Sequence, residues 1–139
     1  MTDWSGLPLM ELGFPGALRD KLVAAVLAGA KTSTTGLVVD YDVCGEDLPL
    51  VGGRTVLIDS DAQPVAVLET TAVRVVRLAD VDLQHALDEG EGDESVEQWR
   101  AGHEGFWSSQ EMLDALADQG FRVDDDTMTV LQRFVVVER

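Results

Sequence analysis

The sequence predicts a single α+β domain built on a small β-barrel. Segments with the composition of strands and helices follow one another in the order helix, strands, helices, strand. One of the predicted strands is unusually long, as expected of a strand that coils around a barrel. The length of 139 residues is that of one typical domain, and no repeat or long linker divides it. We therefore expect one domain over residues 1–139.

A helix followed by a strand is predicted in the first part of the chain. The segment "PGALRDKLVAAVLAG" places Leu18, Leu22 and Val26 on one helical stripe, and Gly29 supplies a C-terminal stop. The next stretch, "TTGLVVDY", has the β-branched composition of a strand. It leads into "GEDLPLVGG", whose glycines and proline are typical of a connection.

A β-hairpin is predicted for "RTVLIDSDAQPVAVLETTAVRVVRL". Two β-branched runs flank "DSDAQP", and the Asp, Ser and Pro of that hexapeptide are turn formers. The second strand runs from Val65 to about Arg77. Because flat strands are seldom so long, we expect it to bend.

Three helices and a closing strand are predicted for the rest of the chain. Asp80 caps a helix that runs through Leu87, and "SVEQ", which begins at Ser95, fits a capping box. The segment "SSQEMLDALADQG" fits a third helix that Gly120 stops. The final "TMTVLQRFVVVER" returns to the composition of a strand.

The charge balance restricts the partners of this domain. The chain carries 26 acidic and 10 basic residues, which gives a formal net charge of −16. Such a surface repels phosphate backbones, so loose, non-specific binding of nucleic acid is not expected. Any contact with nucleic acid has to be local and specific to a site.

The composition also predicts a cytoplasmic protein without membrane association. Cys44 is the only cysteine, which excludes an intrachain disulfide and a CxxC metal site and suits a reducing compartment. The opening "MTDWSGLP" lacks the features of a signal peptide. The longest apolar run, around "LVAAVLAGA", is too short to span a bilayer.

The segment "LAGAKTSTTG" allows two interpretations. Lys31 follows the predicted end of the first helix, where a cation complements the helix dipole and hydroxyl groups satisfy loose backbone groups. Alternatively, Lys31 and Thr34 face one cavity, because three residues across a turn can bring an amine and a hydroxyl together. Spacing alone does not decide between a cap and a reactive pair.

The segment "HALDEGEGDES" concentrates carboxylates. The ligand order of an EF-hand is absent, and His85 and His103 are the only imidazoles, so we predict no metal site. Most of these carboxylates are expected to be solvated. Gly90 and Gly92, however, allow the backbone to turn sharply and to direct Glu89 or Glu91 inward.

The segment "WRAGHEGFW" forms an aromatic helical face. Trp99, His103 and Phe106 recur at helical spacing. This pattern is typical of a core-facing stripe, and it also fits a stacking wall for a planar base with His103 at the edge of that base.

Taken together, these motifs resemble the ASCH (activating signal cointegrator homology) domain family. The resemblance rests on "LAGAKTSTTG", which contains a G-x-K-x-x-T-type element, on "GEDLPLVGG", on "ALDEGEGDESVEQWRAGHEGFW" and on the closing "RFVVVE". It covers about Leu18 to Val137 and is strongest to the larger subgroup with E-G-E-G-D and W-x-x-x-H features. It implies a PUA-like fold, a small mixed β-barrel with flanking helices.

The resemblance also implies a function that involves RNA or nucleosides. The family is associated with hydrolysis of cytidines acylated on the exocyclic amine and with cleavage of single-stranded RNA. The site of the amidohydrolase type falls on Lys31, Thr34 and Glu89 as catalytic residues. A substrate pocket without metal or cofactor is expected around further residues of the motifs, namely Thr32, Glu91, Trp99, His103 and Phe106. Two departures from the family pattern, a longer helical insert and "LQRF" near the C-terminus, leave the substrate open.

Three mechanisms are compatible with this set. In an amidohydrolase, Thr34 attacks and Lys31 takes its proton, or Lys31 binds the oxyanion while Glu89 activates Thr34 or water. In a ribonuclease, Lys31 holds a phosphate while His103 or Glu89 deprotonates the ribose 2′-hydroxyl. In a non-catalytic module, the same pocket only binds a modified base or an RNA end. The net charge favours a small nucleoside over long RNA.

Overall fold

The computed structural model describes residues 4–139, so the first three residues of "MTDWSGLP" lie outside the described part. The strands are β1 (Leu9–Met10), β2 (Ser33–Leu37), β3 (Arg54–Ile58), β4 (Pro64–Arg77) and β5 (Met128–Glu138). The α-helices are α1 (Ala17–Leu27), α2 (Val38–Cys44), α3 (Leu83–Asp88), α4 (Val96–Trp107) and α5 (Gln110–Leu116), with a 3₁₀ turn at Leu78–Asp80. No helix in the described range is both long and apolar enough to cross a bilayer.

The five strands form one sheet in the order β1-β3-β4-β5-β2. β1 pairs with β3 in parallel, and the other neighbours are antiparallel. β4 is the central strand, and its pairing with β5 shifts between Val67 and Leu68 and again between Thr70 and Ala72. Bulges of this kind bend a strand and increase its twist. The predicted hairpin and the predicted irregularity of its long second strand are both confirmed.

Two hydrophobic clusters lie on opposite faces of the sheet. On β5, Leu131 belongs to one cluster and Phe134 to the other, as the alternation of side chains along a strand requires. The first cluster joins the sheet to α3, α4 and α5, and its buried members are Leu37, Leu78, Val81, Ala86, Trp99, Trp107, Met112, Leu116 and Leu131. The second joins the sheet to α1, and its buried members are Leu12, Leu22, Val23, Val26, Leu57, Ala66, Leu68 and Phe134.

The prediction of a strand over "TTGLVVDY" was wrong in its second half. β2 ends at Leu37, and α2 begins with Val38. The helix stops at Gly45, which adopts a left-handed conformation with φ 67°. This glycine is a helix stop signal that outweighs the β-branched composition, and Val39 stays exposed on the helix instead of pairing in the sheet.

The predicted helix limits also changed in two other places. Asp80 ends the 3₁₀ turn, and α3 begins only after Asp82, whose carboxylate binds Arg74 at 2.7 Å and so does not cap the helix. α5 ends at Leu116 because Ala117, before Gly120 is reached, already adopts a left-handed conformation with φ 54°.

The capping box at the start of α4 is confirmed in part. The Ser95 hydroxyl accepts a hydrogen bond from the backbone N–H of Gln98 at 3.1 Å. The Gln98 side chain, however, accepts from the N–H of Glu94 at 2.8 Å. The cap therefore holds the E-G-E-G-D loop against the first turn of α4.

Candidate functional site

The end of α3 is joined to the start of β2 through backbone contacts. The N–H of Thr32 donates to the carbonyl oxygen of Asp88 at 2.8 Å. The hydroxyl of Ser33 donates to the carbonyl oxygen of His85 at 3.2 Å. Gly90 lies so close that a Cβ placed on it would be 2.2 Å from the Ala30 carbonyl oxygen. Only glycine fits this approach and its φ of 67°. The close contact places the residues around Gly90 beside Lys31.

Lys31 forms a buried ion pair with two carboxylates. Its Nζ lies 3.4 Å from Glu89 Oε1 and 3.5 Å from Glu91 Oε2. The side chains of Lys31 and Glu89 are each 1% exposed, whereas that of Glu91 is 22% exposed. Both glutamates therefore reach the lysine, and Glu91 forms the border of the site with solvent.

The Glu89 carboxylate is surrounded by hydrogen-bond donors. Its Oε2 accepts from the Thr35 hydroxyl at 2.6 Å and from Trp99 Nε1 at 2.7 Å. His85 Nε2 lies 3.2 Å from the same oxygen, and His103 Nε2 lies 3.2 Å from Oε1. Burial alone would raise the pKa of Glu89, but hydrogen bonds from the two histidines and the charge of Lys31 hold this pKa well below its usual range. Glu89 is thus an ionised carboxylate in a dry environment.

The hydrogen bonds of Thr35 define the protonation of His85. Thr35 Oγ1 lies 2.6 Å from Glu89 Oε2 and 2.7 Å from His85 Nε2. A threonine hydroxyl has one hydrogen, and the ionised Glu89 can only accept. The hydroxyl therefore donates to Glu89, and His85 Nε2 has to carry a proton, which faces both Thr35 Oγ1 and Glu89 Oε2, the latter at 3.2 Å.

Both ring nitrogens of His103 face acceptors. Nδ1 lies 2.9 Å from the carbonyl oxygen of Trp99, and Nε2 lies 3.2 Å from Glu89 Oε1. Two donating nitrogens require an imidazolium ion. Burial lowers the pKa of His103, but the bond to Glu89 outweighs it and the net pKa is raised. The ring also stacks on Trp99 with centroids 4.3 Å apart.

The two glutamates differ in their tendency to ionise. Burial raises the pKa of Glu91, the charge of Lys31 opposes that shift, and the neighbouring Glu89 adds to it. The pKa of Glu89 is held low in the same site. Pairs of carboxyl groups with pKa values pushed apart are typical of acid and base pairs in active sites.

A cation site is geometrically conceivable here. Ligand atoms of Glu89, Glu91 and His103 all lie within 4.8 Å of one another. The Lys31 ammonium, however, already contacts both carboxylates. A metal ion would have to displace this ammonium and take a proton from His103, so the donor set fits Lys31 better than it fits a metal.

Five of the eight sequence-predicted site residues come together around Glu89: Lys31, Glu89, Glu91, Trp99 and His103. The structure gives Trp99 a different role from the predicted one. Its indole is completely buried, so it has no free face on which a base could stack. It donates to Glu89 and orients the carboxylate instead.

The other three predicted residues lie apart from Glu89. Thr32 binds the Asp88 carbonyl. Phe106 packs on Phe14 with centroids 5.5 Å apart and lines a separate cavity of about 170 Å³. Thr34 lies opposite Gln132 in β5, and within the described part of the chain its hydroxyl makes no side-chain hydrogen bond. The catalytic role of Thr34 stays a prediction that these contacts do not favour.

Sequence reasoning missed Thr35 and His85. Alternation along β2 places Ser33 and Thr35 on the face that α3 covers and turns Thr34 away. His85 and Glu89 are separated by four residues on one helical turn, a spacing that puts both side chains on the same face. The two-residue period of the strand and the four-residue spacing on the helix were therefore the sequence signals that could have identified Thr35 and His85.

Comparisons with known proteins agree with this architecture. The family model of the ASCH domain matches residues 10–138. An ASCH domain of Lactobacillus crispatus JV V101 is 29% identical with a TM-score of 0.72, and the match covers 86% of this chain and 72% of that one. A protein of Enterococcus faecalis V583 is 25% identical with a TM-score of 0.77, and the match covers 95% and 76%.

A more distant structure shares the fold alone. A tyrosine-to-phenylalanine mutant of an ASCH protein of Zymomonas mobilis is 12% identical with a TM-score of 0.50, and the match covers 85% of this chain and 65% of that one. No curated protein matches the chain. The family match extends over nearly the whole sequence, and the α+β architecture is that of its PUA-like structural neighbours. The chain belongs to the ASCH domain family.

Proposed function

We propose that this ASCH domain hydrolyses the amide bond of a nucleoside acylated on its exocyclic amine, with N-acetylcytidine as the reference substrate. One observation carries the proposal. The buried, ionised carboxylate of Glu89 contacts a hydroxyl through one oxygen and an ammonium through the other. A base, a hydroxyl and a cation within one dry site are the groups that acyl transfer requires.

Lys31 stabilises the negative charge that develops on the carbonyl oxygen. Its ammonium contacts Glu89 and Glu91 and would have to leave both ion pairs to act as a base. As a cation it can stabilise an oxyanion once its ammonium turns from Glu89 toward the carbonyl oxygen of the substrate. The geometry thus favours the mechanism in which Lys31 stays charged and Glu89 accepts the proton.

The partly exposed residues suit a small, uncharged substrate. Glu91 and His103 are 22% and 16% exposed, whereas the groups behind them are buried. The Glu91 carboxylate, the more exposed of the two, can accept hydrogen bonds from the polar edge of a pyrimidine. A nucleoside also carries no phosphate for the net charge of −16 to repel.

The experiment is a product analysis with two substrates. Wild-type protein is incubated with N-acetylcytidine and, separately, with labelled single-stranded RNA, each with and without EDTA. Release of free cytidine, insensitive to EDTA, is expected. Shortened RNA without cytidine release indicates a ribonuclease, and binding of either compound without turnover indicates a recognition module; both results contradict the proposal.

Two matched pairs of variants connect the activity with this site. Lys31→Met and Glu89→Gln should each lower the rate of cytidine release by about 100-fold or more. Lys21→Met removes the other lysine of the chain, and Glu97→Gln removes an exposed carboxylate at the start of α4. These two control variants should hydrolyse the substrate like the wild type.

A further inference from the structure

We propose that Thr35 is the hydroxyl that attacks the acyl group and that His85 positions it. This inference rests on the proposed function, because it identifies the nucleophile of that same reaction. The resemblance to known relatives points to Thr34 as the nucleophile, so substitutions of the two threonines should have opposite effects under the two assignments.

The geometry around Thr35 is that of a nucleophile beside its base. Its Oγ1 is 2.6 Å from Glu89 Oε2, within the distance over which a carboxylate takes a proton from a hydroxyl. The residue is half-buried, unlike the fully buried Glu89 behind it. Thr35 is therefore the more solvent-accessible member of the pair that it forms with the base.

Thr34 has none of these contacts. Along β2, the side chains of Ser33 and Thr35 point toward α3. The side chain between them points to the opposite face, where Phe134 and α1 form the second hydrophobic cluster. A one-residue shift of β2 would be needed to bring Thr34 to Glu89, and it would also move the buried Leu37 out of its cluster.

His85 fixes the direction of the Thr35 hydrogen. His85 Nε2 lies 2.7 Å from Thr35 Oγ1 and 3.2 Å from Glu89 Oε2, so its N–H faces both oxygens and the Thr35 hydrogen is left to the Glu89 carboxylate. His85 itself is buried. It is thus a positioning residue, which acts through the rotamer of the hydroxyl and not on the substrate.

The reaction balances with water as the only co-substrate. Thr35 Oγ1 bonds to the acyl carbon while its proton passes to Glu89, and Lys31 stabilises the carbonyl oxygen as it becomes an oxyanion. The C–N bond then breaks, and the proton on Glu89 moves to the leaving amine of cytidine. Water attacks the resulting threonine ester, gives one proton to Glu89, and releases the carboxylic acid as that proton returns to Thr35.

A movement of the Lys31 ammonium from Glu89 toward the substrate would make Glu89 a stronger base. In the substrate-free site, Lys31 and His103 both contact Glu89 Oε1. When Lys31 turns to the carbonyl oxygen of the substrate, Glu89 loses one positive neighbour and becomes a better proton acceptor. Binding of the acyl group and activation of Thr35 are coupled in this way.

The first test compares threonine variants with N-acetylcytidine as substrate. Thr35→Val should lower kcat by about 100-fold or more, and Thr35→Ser should recover most of it. Thr71→Val, at an exposed threonine of β4, is the matched control. Thr34→Val should stay close to the wild type. Thermal melts verify that each variant is folded.

The positioning role of His85 is separated from a purely structural one by comparing kcat and KM in two variants. His85→Gln keeps a donor toward Thr35, and His85→Leu does not. We expect His85→Leu to lower kcat with little change in KM, and His85→Gln to recover part of the loss. Equal losses in both variants contradict the positioning role.

The second test is independent of whether the variants fold. Wild-type protein is given N-acetylcytidine or acetylated 5-methylcytidine in the presence of hydroxylamine. A shared acetyl-threonine intermediate gives the same ratio of hydroxamate to acetate from both substrates. Different ratios overturn the covalent step. In the first test, a fully active Thr35→Val variant beside an inactive Thr34→Val variant overturns the assignment of Thr35 as the nucleophile. In either case hydrolysis by the wild type leaves the proposed function standing, whereas absence of hydrolysis removes the proposed function itself.

Discussion

Lys31 Nζ and Glu89 Oε1 lie 3.4 Å apart in an ion pair whose two side chains are each 1% exposed. The pair joins a residue two positions before β2 to the residue after α3, and the two are 58 positions apart in the sequence. A buried charge with its partner removed is strongly destabilising, so this pair links the stability of the domain to the integrity of the site.

Lys31→Met should therefore affect stability as well as activity. It leaves Glu89 and Glu91 facing each other without the shared cation. We expect a loss of about 3 kcal/mol in the free energy of unfolding. Denaturant melts measure it, with Lys21→Met as the exposed control; a Lys31→Met protein as stable as the wild type would show that the pair is solvated in solution.

Gly90→Ala should disrupt the loop that carries Glu89. A Cβ at this position meets the Ala30 carbonyl oxygen at 2.2 Å, and φ is 67°. Gly92→Ala is a matched control because φ is also positive, at 89°, but no atom lies within 4 Å of its Cβ. Gly92→Ala should cost about 1 kcal/mol, and Gly90→Ala clearly more, together with the activity. Equal melting temperatures for the two variants would disprove the close approach.

Trp99→Phe should remove one hydrogen bond to Glu89 and keep an aromatic ring in the core. The variant removes the indole N–H that donates to Glu89 Oε2 at 2.7 Å. An ionised oxygen deprived of a buried donor costs about 1–3 kcal/mol. Trp107→Phe, in the same cluster but without a side-chain hydrogen bond in the described structure, is the control. Thermal melts should show a larger drop for Trp99→Phe.

The protonation of His103 should make stability depend on pH. Because its pKa is raised in the folded state, its contribution is complete below the unfolded value of about 6.5 and is lost as the pH rises through the raised pKa. The difference in stability between wild type and His103→Gln should therefore shrink from about pH 6 toward alkaline pH. NMR titration of the His103 ring gives a direct check. A titration below the usual histidine range would contradict the imidazolium.

Much of the fold was predictable because its signals are local. The stop at Gly29, the turn-forming residues of the hairpin and the cap at Ser95 act over a few neighbouring residues, and the structure confirms them. The second half of "TTGLVVDY" was missed because composition favoured a strand there while one glycine, Gly45, ends a short helix.

The candidate site was predictable in some of its residues but not in its contacts. Lys31 and Glu89 are distant in the sequence, and only the approach of Gly90 to Ala30 brings them together. The choice of threonine depends on the register of β2 against β5, which places Thr35 opposite Leu131 and toward α3. Register is set by tertiary packing of the whole strand, so a three-residue spacing from Lys31 could not reveal it.

The most direct measurement is the initial rate of cytidine release from N-acetylcytidine by wild type, Glu89→Gln and Glu97→Gln. We expect release by wild type and Glu97→Gln at similar rates, and a loss of about 100-fold or more in Glu89→Gln because the base is gone. A folded Glu89→Gln protein that releases cytidine as fast as the wild type would contradict the central role of this carboxylate.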